Sequence, residues 1–213
     1  MMKPVDHALP ASAANVVRAP ADGRSVVLDE AMDRYARGDD ASFDELYRSG
    51  APRVRGFLLR LCGDLALADD LTQETFLRAH RARGSFAVSA AALPWLLAIA
   101  RNALRDHARR AQVRSAVSSR AGDDDSGGGG EAAPDTRGDE ALAARELLAV
   151  VRATLERMPI RQREAFVLLR FEGLSVGEAA QVLGATEGAV KVRAFRAYEM
   201  LREALGEAQK ERP

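Results

Sequence analysis

Residues 175–205 read SVGEAAQVLGATEGAVKVRAFRAYEMLREAL. Ser175 and Glu178 have the spacing of a capping box, which predicts the start of a short helix, and Gly184 predicts its end. Thr186 predicts the cap of a longer helix that runs to the end of the stretch. A short helix, a glycine-containing turn and a longer helix together predict a helix-turn-helix.

The longer helix has an apolar face and a separate polar face. Apolar residues at spacings of four, three, four and four predict a buried stripe of Val190, Ala194, Ala197, Leu201 and Leu205. Lys191, Phe195 and Arg196 lie off this stripe. Cations and a planar ring on the outward face are typical of a helix that contacts phosphates and base edges in DNA. The alternative is that the cations are simply solvated and that the ring packs on a neighbouring helix or on a linker residue.

A stretch of low complexity divides the chain. Residues 115–138 contain four consecutive glycines, three consecutive aspartates and no apolar periodicity, which predicts a flexible acidic linker. Aromatic residues make up only 5% of the chain, and the richness in Ala, Leu and Arg favours helix. The sequence therefore predicts an all-α protein with two small helical domains, 26–114 and 139–206. A disordered leader (1–25) and a short tail (207–213) are expected at the ends.

Local signals divide these domains into helices. Asp40 is expected to cap the second helix, and Gly50 and Pro52 are expected to interrupt or bend it. Gly63 predicts the end of that helix, and Asp64 predicts the cap of the third. The predicted helices span about 26–37, 40–62, 64–83 and 91–114 in the first domain, and 139–158 and 160–171 ahead of the helix-turn-helix.

Charge is segregated along the chain although the total is balanced, with 31 Lys and Arg against 31 Asp and Glu. Residues 29–77 carry a net charge of −5, whereas residues 78–114 carry eight Arg and one Asp. A segment with eight arginines attracts phosphate, and its acidic neighbours repel phosphate and attract cations. The alternative is that the arginines form the solvated faces of helices in an Arg-rich protein.

Several classes of protein are excluded or disfavoured by composition. Cys62 is the single cysteine, which excludes an intramolecular disulfide framework and a multi-cysteine zinc site. No stretch reaches the ~20 apolar residues of a membrane helix. The N-terminal residues lack the apolar segment of a secretion signal, so a cytoplasmic location is expected.

An acidic and amide cluster lies in the predicted third helix, at Asp69, Asp70, Gln73 and Glu74. Asp70 and Glu74 are four residues apart, but no histidine or second carboxylate pair has a spacing that completes a metal or acid–base site. A surface for a basic partner is the better interpretation. No nucleophile has an identifiable base, so we expect no catalytic residue, no metal, no cofactor and no small-molecule substrate.

Four segments resemble a known family. They are DDLTQETFLRAHRA (69–82), PWLLAIARNALRDHARR (94–110), MPIRQREAFVLLRFEGLSVGEAAQVLG (158–184) and EGAVKVRAFRAYEMLREAL (187–205). These segments resemble regions 2 and 4 of bacterial sigma-70 family factors of the extracytoplasmic-function (ECF) type. The resemblance covers about residues 30–114 and 140–206. It implies a dissociable, non-enzymatic subunit of RNA polymerase that recognises promoters and opens DNA.

The resemblance also implies roles for individual residues and partners. Docking on the coiled coil of the polymerase β′ subunit is implied for Asp70, Gln73, Glu74 and Leu77. Contact with the unwound minus-ten region and the duplex beside it is implied for Phe86, Arg101, Asn102, Arg105 and Arg109. Reading of the minus-thirty-five element is implied for Thr186, Glu187, Lys191, Phe195 and Arg196. The partners implied are core RNA polymerase (β′ and β subunits), promoter DNA and an anti-sigma factor, often a membrane-bound one.

Two other interpretations are compatible with parts of the sequence. A helix-turn-helix repressor or activator accounts for residues 158–205 but leaves the acidic cluster and the segment 94–110 unexplained. An enzyme or helical adaptor without a DNA role requires the basic segment to be a matter of composition. The resemblance also has one departure, because Val192 stands where a small polar residue is frequent in the family.

Overall fold

The computed structural model describes residues 23–118 and 139–210, and these residues form helices and connecting turns without a strand. The predicted linker lies almost entirely outside the described residues, as do most of the predicted leader and part of the tail. No helix in the described part of the chain is long and apolar enough to cross a membrane. The helices are α1 (Gly23–Ala36), α2 (Phe43–Cys62), α3 (Leu65–Ala82), α4 (Ala92–Ser118), α5 (Asp139–Arg157), α6 (Ile160–Arg170), α7 (Val176–Leu183) and α8 (Glu187–Lys210).

The turn between α2 and α3 forms as its sequence predicts. Gly63 ends α2 in the left-handed region, with φ of 73°. Asp64 caps α3, and its carboxylate accepts a hydrogen bond from the backbone N–H of Leu67 at 3.0 Å. The predicted cap of the second helix is wrong. Asp39 caps a short 3₁₀ turn (Asp40–Ser42) that leads into α2, and Ser42 is the N-cap of α2 without a side-chain capping bond.

The helix-turn-helix also forms from its local signals. The Ser175 hydroxyl accepts from the backbone N–H of Glu178, and the Glu178 carboxylate accepts from the backbone N–H of Ser175, so the capping box is complete. Gly184 ends α7 with φ of 56°. The Thr186 hydroxyl accepts a hydrogen bond from the backbone N–H of Ala189 at 3.2 Å, at the start of α8.

The expected interruption at Gly50 and Pro52 is wrong, because α2 is one continuous helix through both residues. Gly50 is buried, and a Cβ at this position would lie 3.2 Å from side-chain atoms of Leu28, Phe76 and Leu96. The missing side chain therefore allows α2 to approach three neighbouring helices. Pro52 lacks a backbone N–H and so removes one hydrogen bond from α2. The packing of α2 before and after Pro52 outweighs this local cost, and the helix continues through it.

The two groups of helices share a hydrophobic core, and α5, α6 and α8 enclose a second, smaller one. Helices α1 to α4, here called the N-module, enclose large buried side chains such as Tyr35, Phe57 and Leu96. Helices α5 to α8, here called the C-module, contribute Val167 and Leu168 to the same cluster of buried residues. Helix α4 packs on α7 and α2 packs on α6. A flexible linker would allow the modules to stay apart, but here they form a common interface.

The glycine at the turn of the helix-turn-helix gives a stability test. We expect Gly184→Ala to lower the free energy of unfolding by about 1 kcal/mol, because an L-residue is strained in the left-handed region. Gly206→Ala is the matched control, since Gly206 lies inside α8 with nothing within 4 Å of the added Cβ. That change should raise the free energy by about 0.5–1 kcal/mol through helix propensity. Urea unfolding of both variants measures the two values, and the same sign for both would contradict the assignment.

Candidate functional site

An exposed polar face runs along α3. Asp70, Gln73 and Leu77 are exposed, and Glu74 is half-buried on the same side of the helix. The side chain of Leu77 is apolar, and it is 54% exposed. Leu77 also lines an aromatic groove beside this face, so it is part of a larger apolar surface.

The remaining carboxylate of the cluster, Asp69, pairs within the protein. Asp69 forms an ion pair with Arg55 of α2, and the hydrogen bond from that guanidinium lowers the pKa of Asp69 below its usual value. Glu74 accepts a hydrogen bond from Arg78 at 2.7 Å, and Arg78 also donates to Asp106 of α4 at 2.8 Å. Arg78 thus holds Glu74 in place and ties α3 to α4. Asp70 and Gln73 are the fully exposed polar side chains of this face.

An aromatic groove lies beside this face, with a volume of about 580 Å³. The Tyr47 and Phe76 rings form its wall with centroids 4.8 Å apart. The Tyr35 hydroxyl hydrogen bonds to the ring of His80 within the groove. The Tyr47 side chain is 39% exposed. The groove is lined by Tyr35, Asp40, Phe43, Tyr47, Gln73, Phe76, Leu77 and His80.

The loop between α3 and α4 does not present its aromatic residue to solvent. Phe86 is 6% exposed and packs on Trp95 with ring centroids 5.3 Å apart. Two carboxylates of α1 fasten the loop, because Asp33 accepts from the backbone N–H of Ser89 and Asp29 accepts from that of Ala92, each at 2.8 Å. The position of Phe86 gives no support to the expected contact with an unwound strand. Val88, 44% exposed, is the large apolar side chain of this loop that solvent reaches.

Arg101 is also placed differently from what the resemblance implies. Its guanidinium is buried and donates two hydrogen bonds to Glu164 of α6, at 2.7 and 3.2 Å. Asn102 is half-buried, whereas Arg105 and Arg109 are exposed four residues apart on α4. The exposed basic surface of α4 therefore begins at Arg105, and Arg101 belongs to the interface between the modules.

The outward face of α8 agrees with the predicted division of that helix. Val190, Ala194, Ala197 and Leu201 are buried, and Leu205 is partly buried. The Phe195 side chain is 64% exposed, so its ring does not pack into a neighbouring helix of the described chain. Lys191, Arg196, Thr186 and Glu187 are exposed on the same helix or at its start.

Two details of α8 modify the expected DNA-binding surface. Lys191 lies 3.8 Å from the carboxylate of Glu187, a weak surface pair that leaves its ammonium group accessible. Val192 is 52% exposed beside this pair, so the surface has an apolar patch where a polar contact is frequent in the family. Tyr198 adds a further exposed ring, which packs edge-to-face on Phe166 with ring centroids 5.2 Å apart.

A second set of ion pairs joins the modules. Glu172, at the end of α6, is buried, and its carboxylate lies 3.4 Å from Arg53 and 3.6 Å from Arg60. Burial raises the pKa of Glu172, although the two guanidinium groups act in the opposite direction. Arg53 also donates to the Glu172 carbonyl at 2.6 Å, and Arg163 donates to the Leu61 carbonyl at 2.7 Å. Sequence reasoning missed this interface entirely.

The described residues contain no group of three or more His, Cys, Asp or Glu side chains that could hold a metal ion. Two of the exposed surfaces, on α3 and on α8, differ in character. One is acidic with an apolar anchor, and the other is basic with an aromatic ring. Such a pair of surfaces can bind two macromolecules of different charge.

Two family models match the chain in the order that the motifs indicate. Residues 46–114 match Sigma-70 region 2, and residues 148–201 match Sigma-70, region 4. The first match covers α3 and most of α2 and α4, and the second covers α6, α7, the second half of α5 and the first part of α8.

Two curated proteins are similar over most of their length. RNA polymerase sigma factor CarQ of Myxococcus xanthus is 41% identical over 180 residues, which are 84% of this chain and 98% of that protein. ECF RNA polymerase sigma factor BldN of Streptomyces coelicolor is 35% identical over 185 residues, which are 86% of this chain and 68% of that protein.

Two solved structures have a similar fold. The sigma factor RpoE of Bartonella quintana, in complex with the anti-sigma factor NepR, has a TM-score of 0.63 and 26% identity, and the match covers 77% of this chain and 96% of that one. CnrH in complex with the cytosolic domain of CnrY has a TM-score of 0.60 and 26% identity, covering 87% and 99%. With both family regions matched and a relative 41% identical along nearly its whole length, this chain belongs to the ECF type of the bacterial sigma-70 family of RNA polymerase sigma factors.

Proposed function

We propose that this chain binds core RNA polymerase through its N-module and directs the enzyme to promoters that both modules contact. The observation that carries the proposal is the pairing of two exposed surfaces of opposite character within the matched regions. The face on α3 is acidic, and the face on α8 is basic and aromatic. A helix-turn-helix regulator that acts without polymerase would have a use for the second surface but none for the first.

The α3 face fits a basic partner helix. Asp70 and Glu74 supply negative charge, Gln73 supplies an amide, and Leu77 supplies an exposed apolar side chain. The aromatic groove beside Leu77 can accept an apolar side chain from the partner, so the contact combines steering by charge with desolvation at its centre. We assign this face to the coiled coil of the polymerase β′ subunit, as the family resemblance implies.

The basic surface of α4 is assigned to DNA near the minus-ten element. Arg105 and Arg109 are exposed on one side of the helix and are suited to phosphate contacts. Asn102 can add a polar contact at the edge of this surface. Phe86 is better explained as the residue that anchors its loop on Trp95, and Val88 is the apolar group that the loop offers to a partner.

The outward face of α8 is assigned to the minus-thirty-five element. Lys191 and Arg196 supply cations, and the exposed Phe195 ring is suited to contact with thymine methyl groups or sugars in the major groove. Thr186 and Glu187 lie at the N-terminus of the same helix, which is the end that enters the groove in helix-turn-helix proteins.

Further aspects of the function follow from this assignment. A protein that binds polymerase and promoter DNA acts in the cytoplasm and has no need of a catalytic residue or cofactor. Two structural neighbours are sigma factors bound to anti-sigma proteins, which supports an anti-sigma partner for this chain as well.

Transcription in vitro with core polymerase on a genomic fragment library tests the whole proposal and identifies the promoter sequence.

Reversal of charge on the α3 face tests polymerase binding. Asp70→Arg should weaken binding to core polymerase by about tenfold or more, because it places a cation opposite a basic partner. Glu30→Arg, at an exposed position of α1 in the same module, is the matched control and should change binding little. Equilibrium pull-down or fluorescence anisotropy with core enzyme measures both. Equal affinities for the two variants, with unchanged circular dichroism, would remove Asp70 from the docking surface.

Removal of the cations on α8 tests promoter reading. Lys191→Ala combined with Arg196→Ala should cost about 1–3 kcal/mol at each base contact that is lost, without preventing polymerase binding. Arg202→Ala is the control, because Arg202 is exposed on the same helix but pairs with Glu199 near the other end. Footprints on the promoter and on one with a mutated upstream element measure discrimination. Full discrimination by the double variant would contradict the role of α8.

A further inference from the structure

The loop between α3 and α4 contains a tight turn with a strained corner. The backbone N–H of Ala90 donates to the Ala87 carbonyl at 2.9 Å, which places Val88 and Ser89 at the corner of the turn. Ser89 has a φ of 67°, in the left-handed region where glycine is favoured at this position of a turn. A serine keeps this conformation only when the surrounding structure holds it there.

Helix α1 supplies that support. The Asp33 carboxylate accepts a hydrogen bond from the backbone N–H of Ser89 at 2.8 Å, although the two residues are 56 positions apart in sequence. One helical turn earlier, the Asp29 carboxylate accepts from the backbone N–H of Ala92 at 2.8 Å, where α4 begins. Two carboxylates of α1 therefore hold the corner of the turn and the exit of the loop.

The entry of the loop is held by apolar contact instead. Phe86 is buried, and its ring packs edge-to-face on Trp95 of α4. Between the two held ends, the corner reaches solvent, because Val88 is 44% exposed and Ser89 is also exposed. The conformation of the corner thus depends on the Asp33 hydrogen bond more than on packing.

Electrostatics alone disfavours a carboxylate at this place. The proposed function brings the loop against the minus-ten strand, whose phosphates repel negative charge. A half-buried Asp33 beside the corner is therefore explained by its hydrogen bond to the loop and not by attraction to DNA. Helix α1 also lies outside residues 46–114, which match Sigma-70 region 2, so the match gives α1 no role.

We propose that Asp33 is a positioning residue for promoter opening, which holds the corner of the loop in the conformation that presents Val88 to the unwound minus-ten strand. The proposal rests on the proposed function. Asp33 acts through the backbone of Ser89 and does not itself contact DNA. Without its carboxylate, Ser89 can leave the left-handed region, and the loop must then be ordered each time it captures the strand, which weakens capture.

The experiment removes the acceptor from the full chain and leaves the rest of α1 unchanged. Asp33→Ala deletes the carboxylate and introduces a residue that favours helix. Asp33→Asn keeps an oxygen that can accept from the Ser89 N–H, so it should retain most of the parent's behaviour. Glu30→Ala removes the same charge from an exposed position of the same helix and is the matched control.

Hydrogen exchange of the amides of residues 87–92 reports on the loop itself. The Ser89 amide should exchange about tenfold faster in Asp33→Ala than in the parent, which is the size expected for the loss of one hydrogen bond to a charged group. Asp33→Asn should lie closer to the parent than to Asp33→Ala. Glu30→Ala should exchange at the parent's rate.

Promoter assays with core polymerase separate positioning from a simple effect of charge. On a promoter obtained from the genomic library, permanganate reactivity measures opening at the minus-ten element. Asp33→Ala should lower opening about tenfold, without changing the affinity for core polymerase or the protection of the upstream element. An effect of charge alone has the opposite sign, because removal of a carboxylate strengthens DNA binding in Asp33→Ala and Glu30→Ala alike.

Each outcome decides for or against the role of Asp33. Reduced opening with faster exchange, both largely restored in Asp33→Asn, supports it. Opening by Asp33→Ala that equals or exceeds the parent's, unchanged exchange, or an equal loss of polymerase binding overturns it. If the parent itself opens no promoter with core polymerase, the proposed function fails and the inference fails with it. Should Asp33→Ala not fold, Asp33→Ser, whose side chain is one atom shorter than that of aspartate, replaces it and is judged by the same results.

Discussion

A charge buried between two modules must have a partner, and this constraint governs how the chain is arranged. Apolar burial drives the modules together but has no direction, so by itself it does not choose which surfaces meet. The ion pair of Arg101 and Glu164 selects the surfaces that meet. Each of the two charges can be buried away from water only when it faces the other. Helices α4, α6 and α7 are positioned around that requirement, and the exposure of both binding surfaces follows from their placement.

The helices of each module were largely predictable from local sequence. Asp64, the Ser175 and Glu178 capping box, Gly184 and Thr186 each act within a few residues of their position, and each forms the cap or stop that its sequence predicts. The stripe along α8 was predictable for the same reason, since helical periodicity reports directly on which face is buried. Leu77 and Tyr47 escaped this reasoning because they are apolar yet face solvent beside a groove.

The remaining features depend on residues far apart in sequence. Arg101 and Glu164 are 63 positions apart, so no periodic pattern links them. The one signal available was that Glu164 precedes a run of apolar residues in α6, where an acid is stable only with a partner. Gly50 has a tertiary role of the same kind: it was interpreted as a break in α2, whereas its missing side chain admits three neighbouring helices. Likewise, family resemblance assigns roles to Phe86 and Arg101 without reporting that both are buried here.

The continuous core has a consequence for how the chain unfolds. A hydrophobic cluster that draws on helices from both modules couples their stabilities, because opening either one exposes apolar surface of the other. The free protein should then melt in a single cooperative transition, although its sequence divides into two domains. The two regions that match family models therefore need not unfold as two separate units. A defect in the core of one module lowers the melting temperature of the other as well.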